Sequence, residues 1–191
     1  MIRKQAKTLI NLDINKVKEY LNQNSMNPRR DYAMFCLSRY AGLRACEISR
    51  LQWDMILDPF GELDDFIHLE SKSTKGGYGG GIIPIHPELK LALSNLPKFS
   101  EGFVINSNRS DQMTAKSIVN FFLKLYKALN LKGCSSHSGR RTFITMAARS
   151  MRSSNASIKD LMGLSRHKHL SSLQVYIDVD VEAQKKMIFG Q

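Results

Sequence analysis

The sequence predicts a mainly helical α+β fold that contains a small antiparallel β-sheet. Long segments toward both ends of the chain repeat apolar residues at helical spacing and are bounded by capping residues. Short apolar or alternating runs in the middle are separated by turn residues, as in β-hairpins. With 191 residues, 42% of them hydrophobic, the chain is long enough for a single domain with an ordinary core.

The first part of the chain predicts three consecutive helices. Asp13 can cap a helix that runs to about Leu21. Pro28 suits the first turn of a second helix, which ends at Gly42. A third helix follows at once and ends near Trp53. Gly42 therefore separates the second helix from the third.

Three short runs in the middle of the chain predict the sheet. They span residues 55–57, 66–69 and 82–85 and are bounded by turn residues. Pro84 cannot donate a backbone hydrogen bond, which predicts an edge position for the last strand. Residues 76–81 include five glycines and predict a loop that precedes this strand.

Helices are predicted again after the sheet. Pro87 suits the start of a helix to Leu96, and Thr114 can cap a long helix to Leu129. The remaining predicted helices are 136–151, 157–162, a segment from residue 171 onward and a separate terminal helix at 181–189.

The charge of the chain predicts an acidic partner. The formal net charge is +11 and the sequence pI is about 9.7, values that favour nucleic acid or an anionic surface. Residues 134–176 hold seven basic residues and one acidic residue, whereas residues 47–70 hold seven acidic residues and one basic residue. This asymmetry predicts one face suited to phosphates.

Targeting signals and cysteine chemistry are not indicated. No apolar run approaches the roughly 20 residues of a spanning helix, and charges interrupt the N-terminal segment where a signal peptide needs an apolar core. We therefore expect a cytoplasmic protein with no membrane partner. The three cysteines are far apart and odd in number, which indicates reduced thiols rather than disulfides or a metal pair.

Six residues along the chain carry reactive groups that suit phosphoryl transfer without a metal. Two guanidiniums can neutralise phosphate oxygens, a phenol can attack phosphorus, and imidazole and ammonium groups can transfer protons. The residues are Arg44, Lys75, His137, Arg140, His167 and Tyr176. Because no carboxylate cluster suited to magnesium accompanies them, we expect no metal and no cofactor.

The segments around these residues resemble the tyrosine recombinases, also called the phage integrase family. The resemblance covers about residues 11–185, and its motifs follow the order and spacing of the family. The matching segments are Ala41–Ile48, Ser73–Gly77, Ile83–Ile85, His137–Phe143 and His167–Val179.

The resemblance implies a catalytic tyrosine and a pair of phosphate-binding arginines. Tyr176 would attack a DNA phosphodiester to form a 3′-phosphotyrosyl link and free a 5′-hydroxyl. Arg44 and Arg140 would bind the scissile phosphate. The bond energy would be kept in the covalent link, so that neither ATP nor a metal is implied.

The same resemblance assigns roles to His137, Lys75 and His167, and for two of these residues an alternative remains. His137 would act as general base and acid, and Lys75 would protonate the leaving oxygen, although Lys72 is an alternative. His167 would hydrogen-bond the phosphate or position its neighbours, and His169 is its alternative. The alternative to His167 arises because Arg166 stands where the family usually has glycine.

Further basic residues around the expected site predict contacts with DNA backbone phosphates. They are Lys72, Arg141, Arg166 and Lys168.

The resemblance also implies how the protein assembles. Residues 1–191 would form a single catalytic domain, with the family's N-terminal core-binding domain absent, either as a natural minimal recombinase or as a fragment. The partner would be double-stranded DNA, bound by a homotetramer that exchanges the segment 181–189, whereas a monomer is expected without DNA. Accessory DNA-bending proteins are compatible with this function, and we expect a prokaryotic or phage protein that associates with the nucleoid.

Two other functions agree with the same residues. A type IB topoisomerase-like enzyme shares the chemistry but religates the original strand. An accessory or regulatory protein would bind DNA without cleaving it. The complete set of reactive residues favours the recombinase.

Overall fold

A computed structural model of the chain describes residues 5–70, 80–97 and 101–177. These residues form a mainly helical fold with a two-stranded antiparallel sheet, which confirms the predicted class. The helices are α1 (Asn11–Asn24), α2 (Pro28–Tyr40), α3 (Ala45–Arg50), α4 (Pro87–Ser94), α5 (Ala115–Ala128), α6 (Ser138–Ser154) and α7 (Ile158–Ser165). The strands are β1 (Phe66–Leu69) and β2 (Gly81–Pro84).

Thr114 and Asp13 were both predicted to cap helices, and Thr114 does so whereas Asp13 does not. Thr114 is the N-cap of α5, as predicted, and its hydroxyl accepts a hydrogen bond of 3.2 Å from Ser117 N. Asp13, by contrast, lies inside the first turn of α1. Its carboxylate accepts a hydrogen bond of 3.1 Å from Ile10 N, so α1 begins before Asp13.

The predicted strand at 55–57 is wrong. Trp53–Met55 forms a 3₁₀ turn, and Leu57 makes only an isolated bridge with Leu63. Trp53, Met55 and Ile56 are nevertheless buried in the core. The apolar run therefore reflects burial rather than strand geometry, a distinction that a short run does not reveal.

The sheet pairs β1 with β2 in the register Phe66↔Pro84 to Leu69↔Gly81. Since it has two strands, Pro84 lies at an edge, as predicted. Ile67 and Ile83 pair across the sheet and are buried, whereas Phe66 and Ile82 are exposed. One face of the sheet thus packs on the core.

The C-terminal part departs most from the prediction. The segment predicted as helix from residue 171 instead begins with two 3₁₀ turns, Leu170–Ser172 and Gln174–Tyr176. Helices α6 and α7 extend beyond their predicted ends, to Ser154 and Ser165. The predicted terminal helix at 181–189 lies outside the described residues.

Two apolar clusters hold the fold together. The main core joins buried side chains of α1–α5 and of the sheet. A smaller cluster, hereafter the second cluster, comprises Ile144, Leu161 and Leu173 and joins α6, α7 and the turns that follow. None of the helices in the described ranges is long and apolar enough to cross a membrane.

Two glycines allow α6 to approach the end of α2. A Cβ on Gly139 would overlap the side chain of Ser38 in α2. Gly42 has a φ of +62°, where glycine is favoured, and a Cβ there would overlap the ring of Phe143 in α6. This close packing brings the start of α6 beside the loop that precedes α3.

Candidate functional site

Arg44 precedes α3 and is held by an acidic residue one turn later. The carboxylate of Glu47 accepts hydrogen bonds from the backbone N of Arg44 at 2.8 Å and from its Nη1 at 2.7 Å. The Glu47 side chain is fully buried, whereas that of Arg44 keeps 26% exposure. Arg44 is therefore fixed at one side of its guanidinium and accessible at another.

Arg140 lies in the first turn of α6, directly after the glycine that packs on α2. Its Nη1 donates to the carbonyl of Gly42 at 2.6 Å, and its Nη2 donates to the carbonyl of Ser165 at 2.5 Å. These two carbonyls come from the loop before α3 and the last residue of α7. The guanidinium of Arg140 is thus fixed by two separate parts of the chain.

Arg166 belongs to the same cluster, which corrects its predicted role. Its side chain is 3% exposed, and its Nη2 donates to Glu47 Oε2 at 2.9 Å. Because it is buried and ion-paired, Arg166 acts inside the fold rather than as a surface contact with DNA. We call Arg44, Glu47, Arg140 and Arg166 the guanidinium cluster.

His167, rather than His169, lies beside this cluster. Its Nδ1 is 2.9 Å from Ser165 Oγ, and its ring centroid is 6.0 Å from that of Tyr176. His169 is exposed at the start of the next 3₁₀ turn. The turn that ends α7 therefore directs His167 toward the tyrosine.

Tyr176 is half-buried against the second cluster and lies at the edge of a cleft. The guanidinium of Arg141 lies 5.6 Å from the centre of its ring. His137, Arg140 and Arg141 line this cleft together with Tyr176. The cleft thus brings together a phenol, an exposed imidazole and two guanidiniums.

The excess of positive charge shifts the ionisation of the buried groups. Burial, with the charges of Arg44 and Arg166, lowers the pKa of Arg140 to about 9. Burial alone would raise the pKa of Glu47, but the charges of Arg166 and Arg44 hold it below its usual value. Three guanidiniums surround one carboxylate, so the guanidinium cluster carries a surplus positive charge at neutral pH.

The same charges act on His167. Burial and the nearby charges of Arg140, Arg44 and Arg166 lower its pKa to about 4. The imidazole is therefore neutral near pH 7 and serves as a hydrogen-bonding group rather than as a cation.

The remaining predicted site residues are three lysines. Lys168 is exposed beside His167. Lys72 and Lys75 lie outside the described residues. Within the described ranges, no group of three or more His, Cys, Asp or Glu side chains is placed to hold a metal ion.

Sequence reasoning missed Glu47 and Ser165. The signal for Glu47 was present, because an acidic residue three positions after Arg44 is suited to bind the backbone N–H groups at the start of a helix. No local signal identifies Ser165, whose carbonyl contacts Arg140 only in the folded chain.

Chemically, the arrangement suits a tetrahedral oxyanion. Arg44 is fixed by a carboxylate and Arg140 by two carbonyls, at a site with surplus positive charge. Arg140 also lines the cleft that contains the phenol of Tyr176. Fixed guanidiniums bind phosphate oxygens with charge-assisted hydrogen bonds. Such donors stabilise charge that develops during attack on phosphorus.

Comparisons with known proteins identify the family and the fold of the chain. The sequence model described as the phage integrase family matches residues 7–183. Similar solved structures include XerA recombinase, with 18% identity and a TM-score of 0.68, where 96% of this chain and 65% of that chain are covered. The Tn1549 transposon integrase, in complex with a circular intermediate DNA, has 18% identity and a TM-score of 0.71, with 97% and 66% covered.

A lambda integrase dimer bound to a core site is a further similar structure. Its identity is 19% and its TM-score is 0.66, with 90% of this chain and 48% of that chain covered. The chain thus spans about two thirds of the length of the first two structures and about half of the third. No curated protein sequence gives a significant match.

Proposed function

The chain belongs to the phage integrase family, and from this premise we propose that it is the catalytic part of a site-specific tyrosine recombinase that cleaves and rejoins duplex DNA. The observation that carries the proposal is that Arg44 and Arg140 are each fixed by hydrogen bonds in one positive cluster, and that Arg140 lines the cleft that contains Tyr176. A phosphodiester is the anion in DNA that two such guanidiniums fit.

In the proposed reaction, the phenol oxygen of Tyr176 attacks the scissile phosphorus. Its proton passes to His137, which lines the same cleft. The bond from phosphorus to the 5′-oxygen breaks, and Lys75 gives a proton to that oxygen. The products are a 3′-phosphotyrosyl link and a free 5′-hydroxyl, and rejoining reverses these steps with another strand.

Charge stabilisation during this step is assigned to Arg44, Arg140 and His167. The two guanidiniums would bind the non-bridging oxygens, on which negative charge grows as the tyrosine attacks. His167 is neutral at pH 7, because burial and nearby arginines lower its pKa to about 4, so it would contribute a hydrogen bond only. No step calls for a metal ion or ATP.

The proposed partner is double-stranded DNA. Arg141 and Lys168 would bind backbone phosphates on either side of the scissile position. A homotetramer on two duplexes, with exchange of the segment 181–189, is the proposed active assembly, and a monomer is proposed without DNA. We place this activity in the cytoplasm, at the nucleoid, with accessory DNA-bending proteins as compatible partners.

The test uses nicked duplexes taken from DNA that flanks the gene, incubated without metal and separated on a denaturing gel. Wild type is expected to give a slowly migrating, protease-sensitive adduct. Tyr176→Phe is expected to give none while it binds DNA with unchanged affinity, because the phenylalanine ring still packs on the second cluster.

Three other outcomes would contradict the proposal. The same adduct from Tyr176→Phe would identify another nucleophile. Salt-sensitive binding without any adduct would support the accessory DNA-binding function. Relaxation of supercoiled DNA without strand exchange between two duplexes would support a topoisomerase-like enzyme.

A further inference from the structure

Arg166 is a buried cation in a backbone conformation that favours glycine. Its φ and ψ are 54° and 40°, in the left-handed region, and it directly follows the last residue of α7. A residue with a side chain is strained in this conformation. Burial of a guanidinium is also unfavourable unless the charge is paired. The contacts of this side chain must therefore offset both costs.

Those contacts join parts of the chain that are far apart in sequence. The Nη2 of Arg166 donates to Glu47 Oε2 at 2.9 Å and to the carbonyl of Gly42 at 3.3 Å. Its aliphatic stem passes close to Gly81, the first residue of β2. Arg166 thus connects α7 with the start of α3 and with the strand that follows the glycine-rich loop.

The same contacts link the two arginines that face the proposed phosphate. The carbonyl of Gly42 accepts hydrogen bonds from both Arg140 and Arg166. The carboxylate of Glu47 accepts hydrogen bonds from both Arg44 and Arg166. A chain of direct contacts therefore runs from one of the two arginines to the other, and Arg166 is its middle member.

Arg166 also changes the charge balance at Arg44. Without Arg166, the buried carboxylate of Glu47 would keep its hydrogen bonds with Arg44 alone and would neutralise more of the charge of Arg44. Because Glu47 Oε2 binds Arg166 while Oε1 binds Arg44, the carboxylate is shared between two cations. Arg44 consequently keeps positive charge that an incoming anion can neutralise.

We propose that Arg166 is a positioning residue for phosphate binding, which sets the spacing of Arg44 and Arg140 and keeps Arg44 from being neutralised by Glu47. The inference rests on the proposed function, since it assumes that the anion is the scissile phosphate. Arg166 itself is too deeply buried to touch DNA, with a side chain that is 3% exposed.

The first experiment compares cleavage of two nicked duplexes by wild type, Arg166→Gly and Arg166→Lys. One duplex has a normal scissile phosphodiester, and the other has a methylphosphonate there, in which a methyl group replaces one charged oxygen. Arg166→Gly relieves the backbone strain while it removes the charge. Arg109→Gly is the matched control, since Arg109 is exposed in a loop near Arg30, at the opposite end of α2 from Gly42.

On the phosphodiester, Arg166→Gly is expected to lower the cleavage rate at saturating protein about 10- to 100-fold, with the dissociation constant for DNA within about 3-fold of wild type. Arg166→Lys is expected to be intermediate, because it keeps the charge but not the planar guanidinium that binds Glu47 and Gly42. Arg109→Gly is expected to cleave like wild type.

The methylphosphonate duplex separates positioning from general stability. With the phosphate charge removed, the fixed pair of guanidiniums is needed less, so the difference between wild type and Arg166→Gly is expected to shrink to within about 3-fold. An unchanged rate on the phosphodiester would overturn the inference. An equal loss on both duplexes would also overturn it, because a merely structural role affects every substrate alike.

A second experiment keeps the inference separate from the proposed function. If wild type forms no adduct with any duplex, the proposed function fails, and phosphate binding is then measured on protein without DNA. Inorganic phosphate is titrated while the NMR signals of His167 and of the arginine side chains are followed. Arg166→Gly is expected to bind phosphate several-fold more weakly than wild type and Arg109→Gly, and equal affinities would overturn the inference.

Discussion

The guanidinium cluster and the segment that carries Tyr176 are neighbours in the fold but are held in different ways. Arg140, Arg166 and Glu47 make hydrogen bonds between separate elements, and Arg44 is fixed by Glu47 at the start of α3. The segment 170–177 consists of two 3₁₀ turns, in which Leu173 alone is fully buried. Leu170, Val175 and Ile177 are all more than 40% exposed.

In the proposed reaction, this difference would separate the groups that bind the anion from the group that attacks it. Groups that stabilise charge act best when they are fixed before the reaction, as the buried arginines are. A segment with few buried contacts opens at a lower free energy than the core does. We therefore expect Tyr176 to move relative to a rigid phosphate site, and four experiments test this contrast.

The largest effect is expected for Arg140→Ala, which breaks the rigid region. The change removes one of the two guanidiniums and leaves the carbonyls of Gly42 and Ser165 without this donor. Cleavage is expected to fall at least about 10²- to 10³-fold, with a loss of about 1–3 kcal/mol in the free energy of unfolding. Adduct formation and urea unfolding measure the two effects, and near-normal cleavage would contradict the assignment of Arg140.

Matched leucine truncations compare the two apolar clusters. Leu93→Ala in the main core is expected to lower the global free energy of unfolding by about 2–5 kcal/mol. Leu173→Ala is expected to cost about 2 kcal/mol and to act locally, since the second cluster is small. Hydrogen exchange should then accelerate in residues 170–177 and not in α2, whereas uniform acceleration would argue against a separately opening segment.

Gly42→Ala tests the close approach of α6 to the end of α2. The new Cβ would meet the ring of Phe143, and φ is +62°. Gly61→Ala is the matched control, because Gly61 has a φ of +81° with open space around it. The control is expected to cost about 1 kcal/mol for the backbone alone, and Gly42→Ala at least about 1 kcal/mol more. Equal losses of stability for the two variants in thermal unfolding would show that the ring of Phe143 moves away from the new Cβ at little cost.

The smallest effect expected is a pH dependence of stability caused by His167. Its pKa falls from 6.5 to about 4 on folding, so the unfolded chain binds more protons between these values. The stabilisation from neutral His167 is complete above pH 6.5 and is lost as the pH falls toward 4. Urea unfolding at several pH values should show a smaller slope in this window for His167→Gln, and an unchanged slope would contradict the shift.

Protonation of Glu47 also lowers the free energy of unfolding as the pH falls, but at a lower pH than protonation of His167. Its pKa lies below 4.5 in the folded chain, so its stabilisation is lost as the pH falls through that lower value. The His167 window therefore begins at a higher pH, which allows the two residues to be separated in the same titration.

Local chemistry in the chain was enough to predict much of this protein. Pro28, Pro87 and Thr114 lie at helix starts, where a fixed φ or a side-chain oxygen suits the first turn. The order of reactive residues likewise identified the family. The strand predicted at 55–57 failed because buried apolar runs look alike in different backbone geometries.

Which charged and polar groups contact each other could be determined only from the tertiary structure. Arg140 meets the carbonyl of Gly42 across 98 positions, and Arg166 meets Glu47 across 119. An arginine near a predicted site looks the same in sequence whether it faces DNA or a buried carboxylate. Its burial and its partner depend on how α3, α6 and α7 pack together, because the cost of burying a charge is met only where that packing supplies an opposite charge.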